Sequence, residues 1–155
     1  MRFWRLSAAI HANRIDGGYG LNHPGRWNSL GRRVTYGATV PSLSVLEKLV
    51  HLGRARRLPD DLVMVELEAP DEGGTRLLEL DALPAGWHRD EEKTRAIGDS
   101  WHDARAELLL LVPSVILPLT GVADRNVVVN HEHAAAASVR IVRSQPFRLD
   151  VRLGP

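Results

Sequence analysis

Apolar residues along this chain fall mostly into short runs that end at glycine, proline, asparagine or aspartate. Runs of this length, rich in valine, leucine and isoleucine, are typical of β-strands. The two runs on either side of the turn-rich APDEGG predict an antiparallel hairpin. Predicted strands lie at 3–6, 33–36, 62–68, 75–80, 107–112, 114–119, 126–130, 138–144 and 147–153.

One segment has helical spacing instead. The residues TVPS at 39–42 predict the start of a helix that continues to about Leu52. At about 100° per residue, Glu47 falls at the edge of the apolar stripe of this helix, so a carboxylate lies against apolar neighbours. The basic cluster RARR at 54–57 is expected to cap the C-terminal end. The stripe consists of Leu43, Leu46, Leu49 and Val50.

Three other segments complete the predicted elements. The segment 90–106 is acidic at its start and is predicted to be helical in part, with Gly98 weakening its middle. HEHAAAA at 131–137 predicts a short helix, and 11–25 is a long glycine-containing loop of a kind that is often functional or mobile. Short strands with few helices and no strict alternation predict an α+β fold with a mixed, largely antiparallel sheet.

Composition adds size and charge to this picture. The chain has 155 residues, 44% of them apolar, which is enough for one domain with a buried core, so we expect a single domain over 1–155. Its 20 Lys and Arg nearly balance its 19 Asp and Glu, which gives no electrostatic reason to expect direct nucleic-acid or membrane-surface binding. Most basic residues are arginines, whose planar forks suit carboxylate and phosphate.

Cysteine usage and the apolar runs bear on location. The sequence contains no cysteine, so disulfides and thiolate metal sites are excluded and a reducing cytoplasm suits the protein. Arg5 interrupts the N-terminal apolar residues, which makes a poor signal peptide. The longest apolar stretch, 108–119, contains two prolines and falls short of the ~20 residues that a membrane helix needs. We expect a soluble cytoplasmic protein.

Motifs of several common enzymes are absent. The sequence has no GxxxxGK[ST] phosphate loop, no GxGxxG, no GxSxG elbow and no HExxH zinc helix. His131 and His133 form an HxH pair, which on a strand would face one side as metal ligands can. No third ligand accompanies them, so we predict a surface or hydrogen-bonding role for both and no metal site.

The stretch HPGRWNSLGRRVTYGA at 23–38 raises a question about Arg26, which lies in a turn bounded by glycine and asparagine. In one interpretation the turn is structural and Trp27 fills the core. In the other, Gly25 permits close backbone approach and Arg26 binds a phosphate. The residue pattern alone leaves both interpretations open.

Three further polar side chains are ambiguous in the same way. Tyr36 is either a core aromatic at a strand end or part of a ligand site. Glu47 is either a solvated edge residue or a carboxylate with a function. Ser114, in VPSVILP, is either a small residue satisfied by the backbone or a functional hydroxyl.

Taken together, dispersed fragments show that the chain resembles the RES-domain family, named for its arginine, glutamate and serine. Each fragment is weak alone, but their order and spacing extend over nearly the whole length. They are WR at 4–5, GRWNS at 25–29, VTYGA at 34–38, LEKLVHL at 46–52, GDSW at 98–101, VPSVILP at 112–118, N-x-x-H at 130–133 and LDVRL at 149–153.

The resemblance implies a toxin of a bacterial toxin–antitoxin pair, with a core similar to ADP-ribosyltransferases. It implies NAD as a substrate, no resident cofactor, and cleavage of the nicotinamide–ribose bond with inorganic phosphate as the acceptor. Protein ADP-ribosylation is the enzymatic alternative, and a non-enzymatic RES-like binding module is the alternative from another class. The implied partner is an Xre-like helix-turn-helix antitoxin.

The resemblance also assigns roles to charged residues by position. Arg26, with Arg5, would hold the pyrophosphate of NAD through paired charge-assisted hydrogen bonds. Departure of nicotinamide generates an oxocarbenium-like ribose, and Glu47 would stabilise that positive charge.

Three uncharged residues complete the implied site. Tyr36 would stack on the nicotinamide ring, and Ser114 would hydrogen-bond the nicotinamide ribose or orient the glutamate. Asn130 would support substrate binding. Family members often have NPxH where this chain has Asn-His-Glu-His at 130–133, so the backbone of that loop is expected to differ.

Overall fold

The computed structural model of the chain describes residues 1–53 and 59–153. Its strands are β1 (Arg2–Ala8), β2 (Val34–Ala38), β3 (Leu62–Glu68), β4 (Thr75–Leu77), β5 (Leu109–Val112), β6 (Asn126–Asn130) and β7 (Arg140–Phe147). Its helices are α1 (Gly18–Asn22), α2 (Pro41–Leu52) and α3 (Glu91–Ala104).

In the described residues the seven strands belong to one sheet, in the order β4-β5-β6-β2-β1-β3-β7. Neighbouring strands are antiparallel except β4 and β5, which run parallel. Strands and helices do not alternate regularly along the chain, so the fold is α+β. The predicted fold class, with its mixed and largely antiparallel sheet, is confirmed.

The predicted hairpin of 62–68 with 75–80 is wrong. β3 lies between β1 and β7, whereas β4 forms the opposite edge of the sheet and pairs with β5. The turn-rich linker forms a 3-10 turn at Asp71–Gly73, and a Cβ on Gly73 would lie 2.6 Å from the Leu108 Cβ. This close packing holds the turn against the start of β5, so the chain continues to the far edge instead of folding back along β3.

Two further predicted strands are not strands in the described structure. The segment 114–119 contains a proline and follows another, and proline cannot donate to a strand ladder. A local hydrogen bond to the Ser114 hydroxyl closes a short turn there instead. The segment 147–153 leaves the sheet after its first residue and ends in a 3-10 turn at Val151–Leu153.

Helix α2 matches the predicted helix closely, and proline occupies its first turn, where a missing N–H costs nothing. Leu43 is completely buried, as its place in the predicted stripe requires. Val50 is 60% exposed, which corrects the stripe at the C-terminal turn. The predicted cap at 54–57 lies outside the described residues. The apolar cluster beneath the helix contacts Val45, Leu49 and Leu52.

Helix α3 is continuous over residues that were predicted to be helical only in part. The side chain of Asp90 caps its start by accepting a hydrogen bond from the Lys93 amide at 3.3 Å. Gly98 lies in the middle of the helix without interrupting it. The long loop predicted at 11–25 contains the short helix α1. The short helix predicted at 131–137 is a 3-10 helix, Ala134–Ser138.

Strand pairing gives the sheet two distinct faces. Trp4 pairs with Ala38, and Ala38 pairs with Asn126, so these side chains share one face with Tyr36 two positions away. Side chains of α2 and α3 pack on this side, which we call the helix face. The other side, which we call the back face, carries Phe3, Arg5, Thr35 and Val127.

The core follows the same division. On the helix face, three tryptophans pack against β2, β5 and β6, and Trp101 among them is fully buried. On the back face, Phe3 and Val65 belong to a separate apolar cluster with residues of the 3-10 helix 134–138. No helix in the described part of the chain is long and apolar enough to cross a bilayer.

The two histidines of the HxH pair make hydrogen bonds of the kind predicted for them. His131 Nε2 lies 2.9 Å from the Thr35 hydroxyl on the back face. His133 Nδ1 accepts a hydrogen bond from the Ala135 amide at 3.1 Å and so caps the 3-10 helix. Among the residues that the structure describes, no cluster of three or more His, Asp or Glu side chains is arranged to hold a metal ion.

Burial of His131 has a consequence for stability. Desolvation lowers the pKa of His131 from 6.5 to about 4, so between these values the unfolded chain binds a proton that the folded chain does not. We therefore expect the free energy of unfolding to fall by roughly 2 kcal/mol through this residue when the pH is lowered from 7.5 to 5. Urea unfolding of wild type and His131→Gln at both pH values measures this difference. An equal loss of stability in both proteins would contradict it.

Candidate active site

The carboxylate of Glu47 lies at the junction of α2, β6 and the segment after β5. Ser114 Oγ donates a hydrogen bond to Glu47 Oε1 at 2.9 Å, and Asn126 Nδ2 donates to the same oxygen at 2.6 Å. Glu47 is half-buried, so its side chain extends toward the sheet and not into bulk water. The structure therefore brings together two of the predicted site residues and one that was not predicted.

Local chain geometry fixes both donors. Ser114 is completely buried, and its oxygen accepts a hydrogen bond from the Ile116 amide at 3.0 Å, which directs the hydroxyl proton toward Glu47. Asn126 begins β6 and pairs with Ala38 on one side and Val112 on the other. Both donors are thus held by backbone structure on either side of the carboxylate.

Tyr36 joins this carboxylate region to the turn that carries Arg26. The phenol oxygen accepts a hydrogen bond from the Trp27 amide at 3.1 Å and donates one to Asn28 Oδ1 at 2.7 Å. Burial raises the pKa of Tyr36 well above its ordinary value, so the hydroxyl keeps its proton and remains a donor. The hydroxyl holds the turn, which leaves the ring as the part able to contact a ligand.

The turn at 25–29 depends on the small size of Gly25. Its backbone pairs with Asn28, and the Gly25 amide donates to the Asn28 carbonyl at 3.0 Å. A Cβ on Gly25 would lie 2.6 Å from both Asn28 Oδ1 and the Tyr36 hydroxyl. Trp27 is 2% exposed and fills the core, so the structural interpretation of this turn is correct for these residues.

Helix α3 clamps the same turn from outside. Arg95 Nε donates to the Gly25 carbonyl at 2.9 Å, and the Asp99 carboxylate accepts from the Ser29 amide at 2.8 Å and from its hydroxyl at 2.6 Å. Between them, Gly98 lets the helix backbone touch Trp27 directly, since a Cβ there would lie 1.9 Å from the Trp27 carbonyl oxygen. These positions share one side of α3, because they are three and four residues apart.

The side chain of Arg26 extends from the clamped turn and makes long hydrogen bonds. Its guanidinium lies 3.3 Å from the Trp87 carbonyl oxygen and 3.5 Å from Glu91 Oε1, which are long distances for hydrogen bonds. The side chain is one-quarter exposed. A rigid backbone with a weakly held guanidinium is an arrangement that an anionic ligand can engage at little cost.

These side chains form a strip along the helix face. Tyr36 and the Ala38–Asn126 pair occupy successive positions on that face, roughly 7 Å apart along the strand. Glu47 and Ser114 lie at one end of the strip, and the turn that carries Arg26 lies at the other, where the Trp27 amide donates to the Tyr36 hydroxyl. The strip therefore joins a carboxylate, an aromatic ring and a turn that carries an arginine.

Arg5 and Asn130 are not part of this strip. Arg5 is on the back face, where Nη2 donates to the carbonyls of His11 and Ala12 at 2.9 and 3.1 Å. Burial lowers the pKa of Arg5, and its Nε is buried without a hydrogen-bond partner. The substrate-binding role of Arg5 stays a prediction from the resemblance.

Asn130 lies four residues from Asn126 along β6, or about 13 Å. Its side chain is fully buried and links the His102 carbonyl to the Glu132 amide, both at 2.9 Å. These contacts brace α3 and the loop after β6. Its supporting role in substrate binding also stays a prediction.

Sequence reasoning missed Asn126 and the clamp residues Arg95 and Asp99. Asn126 begins an apolar run, so it read as the edge of a strand and not as part of a site. The sequence shows GDSW at 98–101 only as a fragment that matches the family, although its glycine and aspartate both contact the turn. Spacing within α3 would have placed them on one side, but it does not say which segment that side contacts.

The chain is similar to known proteins over nearly its whole length. The model of the RES domain family matches residues 2–150. The chain is 38% identical over 154 residues to Toxin Res of Pseudomonas putida KT2440, with 99% of both chains covered. It is 30% identical over 158 residues to the Prs ADP-ribosylating toxin of Sphingobium sp. YBL2, with 97% of this chain and 95% of the relative covered.

A solved structure shows a similar fold. One chain of the crystal structure of the M. tuberculosis MbcT–MbcA toxin–antitoxin complex superimposes with a TM-score of 0.72 over 94% of this chain and 83% of that chain, at 15% sequence identity. The match supports the α+β fold described above. With the family model covering nearly every residue, the chain belongs to the RES domain family.

Proposed function

We propose that this protein is the toxin of a bacterial toxin–antitoxin pair and that it degrades cytoplasmic NAD by cleaving the nicotinamide–ribose bond, with inorganic phosphate as the acceptor. The observation that carries the proposal is the anchored Glu47 carboxylate, held by Ser114 and Asn126 on the same strip as Tyr36 and Arg26. The names of the relatives, Toxin Res and Prs ADP-ribosylating toxin, support a toxin that uses NAD.

The proposed reaction assigns one part of NAD to each of these side chains. Arg26 binds the pyrophosphate, and the Tyr36 ring stacks on nicotinamide. The bond between ribose C1′ and the nicotinamide nitrogen breaks, and its electron pair neutralises the positive ring nitrogen. Glu47 stabilises the oxocarbenium-like ribose that results, and a phosphate oxygen then bonds to C1′.

The test is incubation of the purified protein with NAD, with and without inorganic phosphate. We expect nicotinamide release that depends on phosphate and a phosphorylated ADP-ribose product detected by mass spectrometry. Nicotinamide release that does not respond to phosphate would reject phosphate as the acceptor.

Protein ADP-ribosylation is the second candidate, and the name of the Sphingobium relative favours it. A protein acceptor requires an open surface beside the carboxylate, and the segment after Ser114 is partly exposed there. Labelled ADP-ribose that stays on a protein after denaturing gel electrophoresis supports this reaction over phosphorolysis. A RES-like module that only binds a partner would leave NAD intact in both experiments.

An unrestrained NAD-consuming enzyme harms its host, so we propose that the partner is an antitoxin with an Xre-like helix-turn-helix domain. The similar fold in the MbcT–MbcA toxin–antitoxin complex supports a protein antitoxin. Co-expression with the product of the neighbouring gene should restore growth and yield a stable complex on size-exclusion chromatography.

Arg26 provides a prediction for substrate binding. Lysine keeps the positive charge but cannot make the paired contacts of a guanidinium. We expect Arg26→Lys to raise the KM for NAD roughly tenfold or more, since hydrogen bonds to charged groups contribute about 1.5–3 kcal/mol. Steady-state kinetics of nicotinamide release measure the change.

The control for this variant is Arg143→Lys, at an arginine that is 69% exposed on β7, the far edge of the sheet. It should leave KM unchanged. An unchanged KM in Arg26→Lys as well would show that Arg26 does not bind the substrate.

A further inference from the structure

Two hydrogen-bond donors converge on one oxygen of Glu47. Ser114 Oγ and Asn126 Nδ2 both approach Oε1, at 2.9 and 2.6 Å. Among the residues that the structure describes, no donor approaches Oε2. The contacts within residues 1–53 and 59–153 therefore anchor the carboxylate through Oε1.

Asn126 is the anchor that lies in regular secondary structure. It lies in β6 between β2 and β5, paired on both sides, while Ser114 lies in an irregular segment after β5. An amide also has a single donor group, Nδ2, that can reach Glu47, so the direction of the bond is fixed by the strand. The strand thereby sets the position of a side chain that comes from a helix.

We propose that Asn126 is a positioning residue that directs Glu47 Oε2 toward the reacting ribose. This inference rests on the proposed function, because it assigns Asn126 a role in NAD cleavage through Glu47. In this role Asn126 acts through its hydrogen bond to Glu47. Its removal lets the carboxylate rotate about the side-chain bonds of Glu47, and Oε2 then spends less time facing the developing charge.

The expected effect falls on the chemical step. Asn126→Ala should lower kcat for nicotinamide release roughly tenfold to a hundredfold, the range for losing a hydrogen bond to a charged group, with little change in KM. In a Glu47→Ala background the same substitution should cause no further loss, because the group that it positions is already gone. The control is Asn22→Ala, at an exposed amide whose contact to the Gly18 carbonyl is 3.5 Å long.

Asn126→Asp serves as a second variant of the same shape in case alanine disturbs the fold. It replaces the donor with an oxygen that repels Glu47, and it should lower kcat at least as much as alanine does. Circular dichroism and thermal unfolding establish that each variant is folded. A folded Asn126→Asp with wild-type kcat, or an Asn126→Ala loss of equal size in the Glu47→Ala background, would overturn the inference.

An NMR measurement separates failure of this inference from failure of the proposed function. The side-chain amide signals of Asn126 in wild type should be displaced on Glu47→Ala, and those of Asn22 should stay unchanged. If wild type releases no nicotinamide, the proposed function fails and the role in catalysis fails with it, while displaced Asn126 signals still establish the anchoring contact. Unmoved Asn126 signals overturn the contact itself, whatever the activity.

Discussion

Glu47→Gln is expected to lower the rate of NAD cleavage roughly a hundredfold to a thousandfold, the usual cost of losing one preorganised electrostatic group. Glutamine keeps the shape of the side chain and an oxygen that can accept from Ser114 and Asn126. It removes the negative charge that would stabilise the oxocarbenium-like ribose. Steady-state nicotinamide release measures kcat, and thermal unfolding shows whether the fold is intact.

The size of this effect distinguishes catalysis from packing. Glu47 is half-buried and lies within the hydrogen-bonding distance of two donors, so a purely structural role would lower stability and leave kcat unchanged. Glu72→Gln, at an exposed residue of the turn before β4, is the matched control and should retain full activity. A folded Glu47→Gln protein with wild-type kcat would show that Glu47 has no role in the reaction.

Gly98→Ala is expected to destabilise the fold by about 3 kcal/mol or more. In an ordinary helix interior this change stabilises by roughly 0.5–1 kcal/mol, because alanine restricts the unfolded chain and favours helix. Here the new Cβ would lie 1.9 Å from the Trp27 carbonyl oxygen and 2.7 Å from its carbonyl carbon, and backbone atoms cannot move aside as a flexible side chain can. Urea unfolding gives the difference in the free energy of unfolding.

The sign of the change in unfolding free energy shows whether the packing of α3 on the turn outweighs the helix propensity of alanine. Gly18→Ala, in α1, is the control, since the Cβ there would meet only the Asp16 side chain at 3.1 Å. Its stability should change by no more than about 0.5 kcal/mol. We also expect Gly98→Ala to weaken NAD binding, because displacement of α3 loosens the turn that carries Arg26. A stabilised Gly98→Ala protein would mean that α3 does not pack on this turn.

Local patterns predicted the elements that depend on local chemistry. Helix α2 was predicted from its proline-containing start and its apolar spacing, and its bounds agree with the structure. Strands β3 and β6 were predicted with their observed bounds, because runs of β-branched and aliphatic residues end there at turn residues. The two failed strands have similar composition, but prolines and a local turn replace the ladder at 114–119, and 147–153 ends in a 3-10 turn.

The sequence pattern does not identify which strands pair with each other. An apolar run shows that a strand is buried but not which strand lies beside it, so 62–68 and 75–80 were joined as a hairpin on chain proximity alone. In the structure Gly73 packs against Leu108, and the chain continues from there to β4 at the other edge of the sheet. Gly98 is a similar case, since its helix propensity predicted a weak point and its tertiary contact explains its presence.

The candidate site divides in the same way. The resemblance names Arg26, Tyr36, Glu47 and Ser114 by position. The structure joins Glu47 to Ser114 directly and joins Tyr36 to the turn that carries Arg26. Asn126 could not be found from spacing, because its contact with Glu47 joins residues 79 positions apart in the chain. Arg5 and Asn130 were named with the others, but their hydrogen bonds serve the back face and the brace of α3.

The most direct test of the proposed reaction is one measurement of nicotinamide released from NAD by the protein purified without any partner. We expect many turnovers per protein molecule, because the folded chain already holds the Glu47 carboxylate and the Tyr36 ring that the proposed reaction uses. NAD that remains intact at high protein concentration, with and without phosphate and with the fold verified, would contradict it.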